Sequence, residues 1–212
     1  MFKILTDSHK LIAREIHKNI VENYDVDLDI DKLQWGSIAP DVLPYYKFKR
    51  HYKDESLEFI SKEIVHLIFL GRYSNLKNKN SFFIRQLSKK VGIISHYLCD
   101  FTCYPHAYRV TFMDDMKSHL KYESDLNEYA INIHKFNDVN LSTEDLNIYG
   151  DDSKKLADIV GEYIDSVVEE YMEDEKSFSN DLDYALKLSS NVALFIIEMI
   201  LNYSEEMEYQ FN

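Results

Sequence analysis

Along most of this chain the hydrophobic positions recur three and four residues apart, the spacing that gathers side chains on one face of an α-helix. Six such stretches are predicted, over about residues 8–22, 55–70, 81–100, 114–134, 153–171 and 181–208. Thr6, Asp7 or Ser8 can cap the first, and Gly71 is expected to stop the second. His9 opens an apolar face in the first helix that Ile12, Ile16 and Ile20 continue. In the fourth, Met116, His119, Glu123, Leu126, Ala130 and Ile133 form one stripe, while Lys117, Lys121, Asp125 and Glu128 fall elsewhere. The third ends in VGIISHYLC, apolar on nearly all sides, and is expected to be interior.

Between the first two helices lies VDLDIDKLQWGSIAPDVLPYYKFKRHY, with no helical period, two of the three prolines and the only tryptophan. Its aromatic content predicts an ordered, packed loop. The most apolar run, NVALFIIEMIL from Asn191 to Leu201, is interrupted by Glu198 and is too short to cross a bilayer. It is read as a buried helix, so no transmembrane segment is expected. Alternating β-branched runs are scarce, glycine and proline together number only eight, and no Pro/Gly/Ser linker divides the chain. The expectation is an all-α protein, one multi-helix bundle forming a single domain over residues 1–212.

Charge narrows the partners. With 37 acidic and 24 basic residues the net charge is −13, which opposes attachment to nucleic acid or anionic lipid by charge alone. No long nucleic acid is expected as a partner. The opening MFKILTDSHKLIA lacks the apolar core of a signal peptide. The expected location is therefore cytoplasmic for the chain as written, and secreted where a leader precedes it. Cys99 and Cys103, four residues apart near a helix end, are poorly placed for a disulfide and are read as free, half-buried thiols. Their spacing is not that of a zinc knuckle.

The candidate chemistry sits in SHYLCDFTCYPH, Ser95 to His106, where two histidines and an aspartate interrupt an apolar, aromatic run. Burying such groups is costly unless something compensates them. The candidate compensation is a metal cluster; the competing reading is core histidines and structural ion pairs.

A histidine followed by an acid four residues later presents both on one helical face, suited to a shared ion. Composition alone predicts ~1.4 such pairs. Four occur: His51/Glu55, His96/Asp100, His119/Glu123 and His134/Asp138. Burial separates them, since His96/Asp100 and His119/Glu123 fall on faces expected to point inward. Gly92 leaves room one turn before His96, and Pro105 ends the helix and presents His106 on a turn. His17 is read as structural or exposed, His66 as a core histidine, and His134 has no pattern to recruit it.

The order and spacing of these residues resemble the zinc-dependent phospholipase C family of the bacterial alpha-toxin type, distantly allied to single-strand nucleases. The resemblance rests on SHKLIA around His9, WGSIAPD ending at Asp41, and His51 ten residues on. It continues through HYLCDFTCYPH, with His96, Asp100 and His106, to HLKYE, with His119 and Glu123. It implies that His106, His119 and Glu123 hold one Zn2+. Asp41, His51, His96 and Asp100 would hold a second, with Asp100 bridging to a third bound by His9. In secreted members an N-terminal tryptophan completes that third site; this chain opens MFKILTD, so two or three Zn2+ are expected.

The implied activity is hydrolysis of a phosphodiester such as a phospholipid headgroup or a soluble small molecule. Asp41 is the candidate to orient or deprotonate the attacking water, with a role as ligand alone as the alternative. The rival readings are a nuclease or 3′-nucleotidase using the same cluster, and a metal-binding structural protein without turnover. The oligomeric state is not legible in the sequence.

Overall fold

A computed structural model of the chain describes residues 6–78, 81–109, 112–136, 146 and 155–211. The described elements run α1 (Asp7–Tyr24), α2 (Ile30–Gly36), α3 (Ala39–Val42), a 3₁₀ turn (Pro44–Phe48) and α4 (Lys53–Gly71). Then come α5 (Phe82–Phe101), α6 (Tyr104–Ala107), α7 (Phe112–Asn132), α8 (Leu156–Glu173) and α9 (Phe178–Phe211). Among the described residues the structure is helical, without strands.

α5 runs through the centre. Every residue from Val91 to Phe101 is buried, because α2, α4 and α9 pack around it. α1 lies against α9, α2 and α7, and α8 covers α4 and α9. The apolar run near the C-terminus belongs to a longer helix than its own length suggests. Residues Phe178–Tyr203 are long and apolar enough to cross a membrane, but 78% of that window is buried inside the protein. Its neighbours α1, α4 and α5 supply that burial.

The segment expected to be a loop is partly helical. Asp29 caps α2 by accepting a 3.0 Å hydrogen bond from the Lys32 N–H. Pro40, Pro44 and Pro105 each stand in the first turn of a short helix, where their missing N–H costs nothing. Elements of four to seven residues complete too few turns to show a period, which is why none appears in the sequence.

Three other expectations are corrected. His66 is exposed, because α4 turns Ile60, Ile64, Leu67, Ile68 and Gly71 inward and leaves Phe69 and Leu70 on the outside with it. Ile133 is exposed because α7 ends at Asn132 and its stripe ends with it. Cys99 and Cys103 are free and buried rather than half-buried. Gly71 does end α4, but no glycine among the described residues has a positive φ. Its role is space, since a Cβ there would come within 2.4 Å of Ile200. The Met116 side chain, Asp138 and Ser153 lie outside the described residues.

Candidate metal centre

Five helices and one bend bring the predicted ligands to one place. The first turn of α1 offers His9, α3 offers Asp41, and the bend before α4 offers His51. One face of α5 presents His96 and Asp100, α6 His106, and one face of α7 His119 and Glu123. His9, Asp41, His51, Asp100, His106 and Glu123 line a single cavity of about 260 Å³. His96 and His119 stand just behind, both buried.

Two foci form on its wall. In the first, Asp100 Oδ2 lies 2.8 Å from His51 Nδ1 and 3.2 Å from His96 Nε2. Asp41 Oδ1 lies 3.5 Å from His96 Nε2 and 3.9 Å from His51 Nδ1. His9 joins from the side, its Nε2 3.6 Å from Asp100 Oδ1 and its ring stacked on His96 at 4.3 Å. In the second, Glu123 Oε1 lies 2.9 Å from His119 Nε2 and 3.1 Å from His106 Nε2. Three sets of donor atoms each fall within 4.8 Å of one another: His9, Asp41 and His96; His51, His96 and Asp100; and His106, His119 and Glu123.

A family model described as zinc dependent phospholipase C matches residues 8–178. The chain belongs to the zinc-dependent phospholipase C family. Among solved structures, the alpha-toxin of Clostridium perfringens isolated from an avian strain is similar, with a TM-score of 0.60 and 19% identity over 95% of this chain. That alignment covers 65% of the toxin chain, so this sequence spans about two thirds of the toxin's length. At this identity the likeness speaks for the fold. A comparison with curated proteins finds no match.

The donor set suits the family's metal. Zinc takes imidazole nitrogens and carboxylate oxygens, and each ion pair that Asp41, Asp100 and Glu123 make among the described residues is to an imidazole. Asp100 Oδ2 is buried and, despite its short approaches, has no hydrogen bond of proper geometry. A carboxylate oxygen crowded by ring nitrogens that do not donate to it is what a shared cation explains.

His96 carries the clearest evidence of preparation. Its Nδ1 lies 2.9 Å from the Ser37 carbonyl, which can only accept, so Nδ1 holds the proton. In the neutral form that a metal requires, the lone pair of Nε2 then faces Asp41, Asp100 and His51. That is how outer hydrogen bonds orient metal-ligating histidines. His9 and His106 have no such support, since their buried Nδ1 atoms find no partner among the described residues.

Without a cation the charges strain against one another. Burial and the neighbouring His96 push His9 down to about 4. Burial also disfavours a charged His96, but Asp100, Asp41 and the Ser37 carbonyl overcome it and raise that imidazole to about 9. Burial works against ionised Asp100 as well, yet the imidazoles of His96, His106 and His51 hold it well below the carboxylate range. For Glu123, bonds from His106 and His119 overcome burial and lower it to about 2.

One residue of this site was not singled out from the sequence. Asp181, read only as the start of the last helix, is 2% exposed and lines the same cavity. Its Oδ1 accepts from the Tyr171 hydroxyl at 2.7 Å, and its Oδ2 from the Tyr122 hydroxyl at 2.8 Å and the Tyr104 N–H at 3.2 Å. Asp181 thereby ties α9 to α8, to α7 beside Glu123, and to the start of α6, which carries His106. An acid at a helix start has an ordinary reason to be there, so the sequence holds no signal for this role.

The other histidines go elsewhere. His17 Nε2 is 3.0 Å from Asp27 and 3.1 Å from the Leu28 carbonyl, a structural tie from α1 to the next turn. His134 pairs with Asp183 at 3.1 Å. Cys99 and Cys103 line the cavity, but burial pushes both thiols up, Cys99 to about 12, so neither offers a thiolate near neutral pH.

Proposed function

We propose that this chain is a phosphodiesterase of phospholipase C type, acting on a phospholipid headgroup or a soluble analogue within one domain spanning residues 1–212. His106, His119 and Glu123 hold one Zn2+, and Asp41, His51, His96 and Asp100 hold a second. His9, beside Asp100, provides for a third. The observation that carries this reading is the convergence of five imidazoles and three carboxylates on one cavity, in sets whose donor atoms lie within 4.8 Å.

Bound zinc supplies charge to polarise the phosphoryl oxygens, acidify a water and stabilise the departing alkoxide. The protein's own groups divide the remaining work by exposure. Asp41 has 30% of its side chain accessible, against 8% for Asp100 and 24% for Glu123. A group that takes a proton from incoming water must face the cavity, and Asp41 does so from its rim. Asp100 and Glu123 are each approached closely by two or more imidazoles and act as ligands. Ile12, Leu120, Leu126, Leu182 and Ala185 form an apolar wall that receives the carbon portion of the substrate and excludes bulk water. In a chain of net charge −13 the cations are also what makes the cavity hospitable to a phosphate.

The deciding experiment compares chelator-treated and zinc-reconstituted protein on a phosphatidylcholine analogue and on mononucleotides, with bound zinc counted by mass spectrometry. Zinc-restored hydrolysis of the diester is the expected result. Turnover of mononucleotides alone would replace this reading with a nucleotidase. Bound zinc with no turnover on either substrate would replace it with a structural metal protein.

A further inference from the structure

A second cavity, of about 450 Å³, opens where α6, α7 and the start of α9 meet. Tyr104, Tyr122, Tyr129 and Phe178 wall it, and Lys176 is among its lining. It shares no lining residue with the metal cavity. The rings pack in series: Tyr104 lies 5.3 Å from Tyr122, Tyr122 4.9 Å from Phe178, and Phe178 5.7 Å from Tyr129, centre to centre. All four are half-buried, spending part of their surface on one another and leaving part to the opening. Aromatic walls around a space of several hundred Å³ are the usual make-up of a small-molecule site.

Charge narrows the occupant. Lys176 is exposed, its ammonium 4.0 Å from the Tyr108 ring centre and 4.9 Å from that of Tyr104, and it makes no ion pair among the described residues. The acids around it are committed elsewhere. Asp174 accepts from the Glu175 N–H at 2.8 Å and the Tyr184 hydroxyl at 3.3 Å. Asp183 pairs with His134 and accepts from the Ser179 hydroxyl, each at 3.1 Å. Asp181 is turned into the interior. A flat ring entering this cavity finds the same face and edge contacts that its walls make with one another. A negative group on that ring meets Lys176, whereas a positive one is repelled by it.

The partition between the two cavities is a single hydrogen-bonded unit. Tyr122 and Tyr104 turn their rings to the second cavity and reach Asp181, in the wall of the first, through the Tyr122 hydroxyl and the Tyr104 N–H. Tyr122 is next to Glu123 in α7, and Tyr104 is two residues before His106 in α6. A ligand that braces these two rings therefore braces two of the three residues of the Glu123 focus.

We propose that this cavity binds a flat aromatic ring carrying an anionic group, and that its occupancy strengthens zinc binding at the Glu123 focus. The coupling rests on that focus holding Zn2+, as proposed above; the ring site does not.

The test is equilibrium dialysis of three naphthalene probes against the full chain, chelator-treated or zinc-loaded, with bound zinc counted. The probes are anionic 2-naphthalenesulfonate, neutral 2-naphthylmethanol and cationic 2-naphthylmethylammonium. The sulfonate should bind about threefold more tightly than the alcohol, the scale of one exposed ion pair, and the ammonium least tightly. Lys176→Gln should erase these differences, and Tyr129→Ala should weaken all three probes by about tenfold. Lys176 is exposed, so its variant decides the matter even where Tyr129→Ala fails to fold. Zinc should tighten the sulfonate by about fivefold, and the sulfonate should tighten zinc by the same factor, because such coupling is reciprocal. Tyr122→Phe keeps the ring and removes the hydroxyl that reaches Asp181. It should bind the sulfonate as the zinc-free wild type does and lose the coupling.

No saturable binding of the sulfonate, or a preference for it that survives Lys176→Gln, overturns the site. Ring binding that zinc does not change overturns the coupling. A chain that binds the ring yet holds no zinc would end the coupling and the hydrolase reading together and leave the ring site standing.

Discussion

Gly36 of α2 and Gly92 of α5 meet face to face where the two helices cross. A Cβ on Gly92 would stand 2.2 Å from the Leu33 carbonyl oxygen and 2.9 Å from the Gly36 Cα, and one on Gly36 2.2 Å from the Lys89 carbonyl oxygen. Both obstacles are backbone, which has nowhere to go. Without side chains in the way, the residue that follows α2, Ser37, brings its carbonyl to 2.9 Å from His96 Nδ1, one turn beyond Gly92.

Gly92→Ala should therefore destabilise the protein by about 2–3 kcal/mol, the scale of an overpacked core, and lower the zinc affinity of the His96 focus. Chemical denaturation and zinc titration measure the two effects. A variant as stable as the wild type would mean that the helices do not approach this closely.

Zinc binding should release protons. His96 in the metal-free protein is raised to about 9 by its carboxylate neighbours after burial has pulled the other way, so at pH 7 it is charged and must lose a proton to become a ligand. Because the folded value lies above the ordinary one, the stability this imidazolium adds is complete below about pH 6.5 and is lost as pH rises through 9. Calorimetric titrations in buffers of different ionisation enthalpy should show about one proton leaving the His96 focus at pH 7. Heats that do not vary with the buffer would contradict this.

Glu123 predicts the opposite pH window. Its carboxyl, held at about 2 by His106 and His119 against the effect of burial, adds stability that is present above its ordinary value of 4.5 and lost as pH falls through 2. Acid titration of the metal-free protein should show stability falling across that range, with a shallower fall in Glu123→Gln. The same variant should bind one Zn2+ fewer than the wild type while the His96 focus still loads.

Asp181 should matter to metal binding without touching the ligand atoms. Asp181→Ala strands two tyrosine hydroxyls and the Tyr104 N–H in the interior, at a cost of about 2–4 kcal/mol. Freed from Asp181, α6 no longer fixes His106, and zinc affinity at the Glu123 focus should fall ten- to about a hundredfold. Asp181→Asn keeps an acceptor and should recover most of the affinity. Equal zinc affinity in all three proteins, read by competition with a chromogenic chelator, would show that the network serves stability alone.

The long helices were legible because a repeat sustained over four or more turns leaves little doubt about which face is apolar. The short ones were not: α2, α3 and the turn at Pro44–Phe48 are set by a cap, two early prolines and the surface of α5 beneath them. His66 shows the limit of the same signal, because α4 has more apolar residues than one face holds. Only packing chose the Ile60, Ile64 and Leu67 side over that of Phe69 and Leu70. The four histidine–acid pairs show it again. His96/Asp100 and His119/Glu123 do share a focus, but in His51/Glu55 the partners separate, Glu55 turning to Arg50 and Arg109 and His51 to Asp100. In His134/Asp138, Asp138 lies outside the described residues, and His134 pairs with Asp183.

What the sequence determined alone was the helical class, the long elements and the residue types able to hold a metal, because spacing along one helix fixes the angles between its own side chains. Which of those side chains meet was decided by tertiary structure. His9, Asp41, His51, His106 and Asp181 come from different elements, and their separations depend on how closely helices cross, down to the two missing Cβ atoms of Gly36 and Gly92. Spacing within one helix carries no information about that distance.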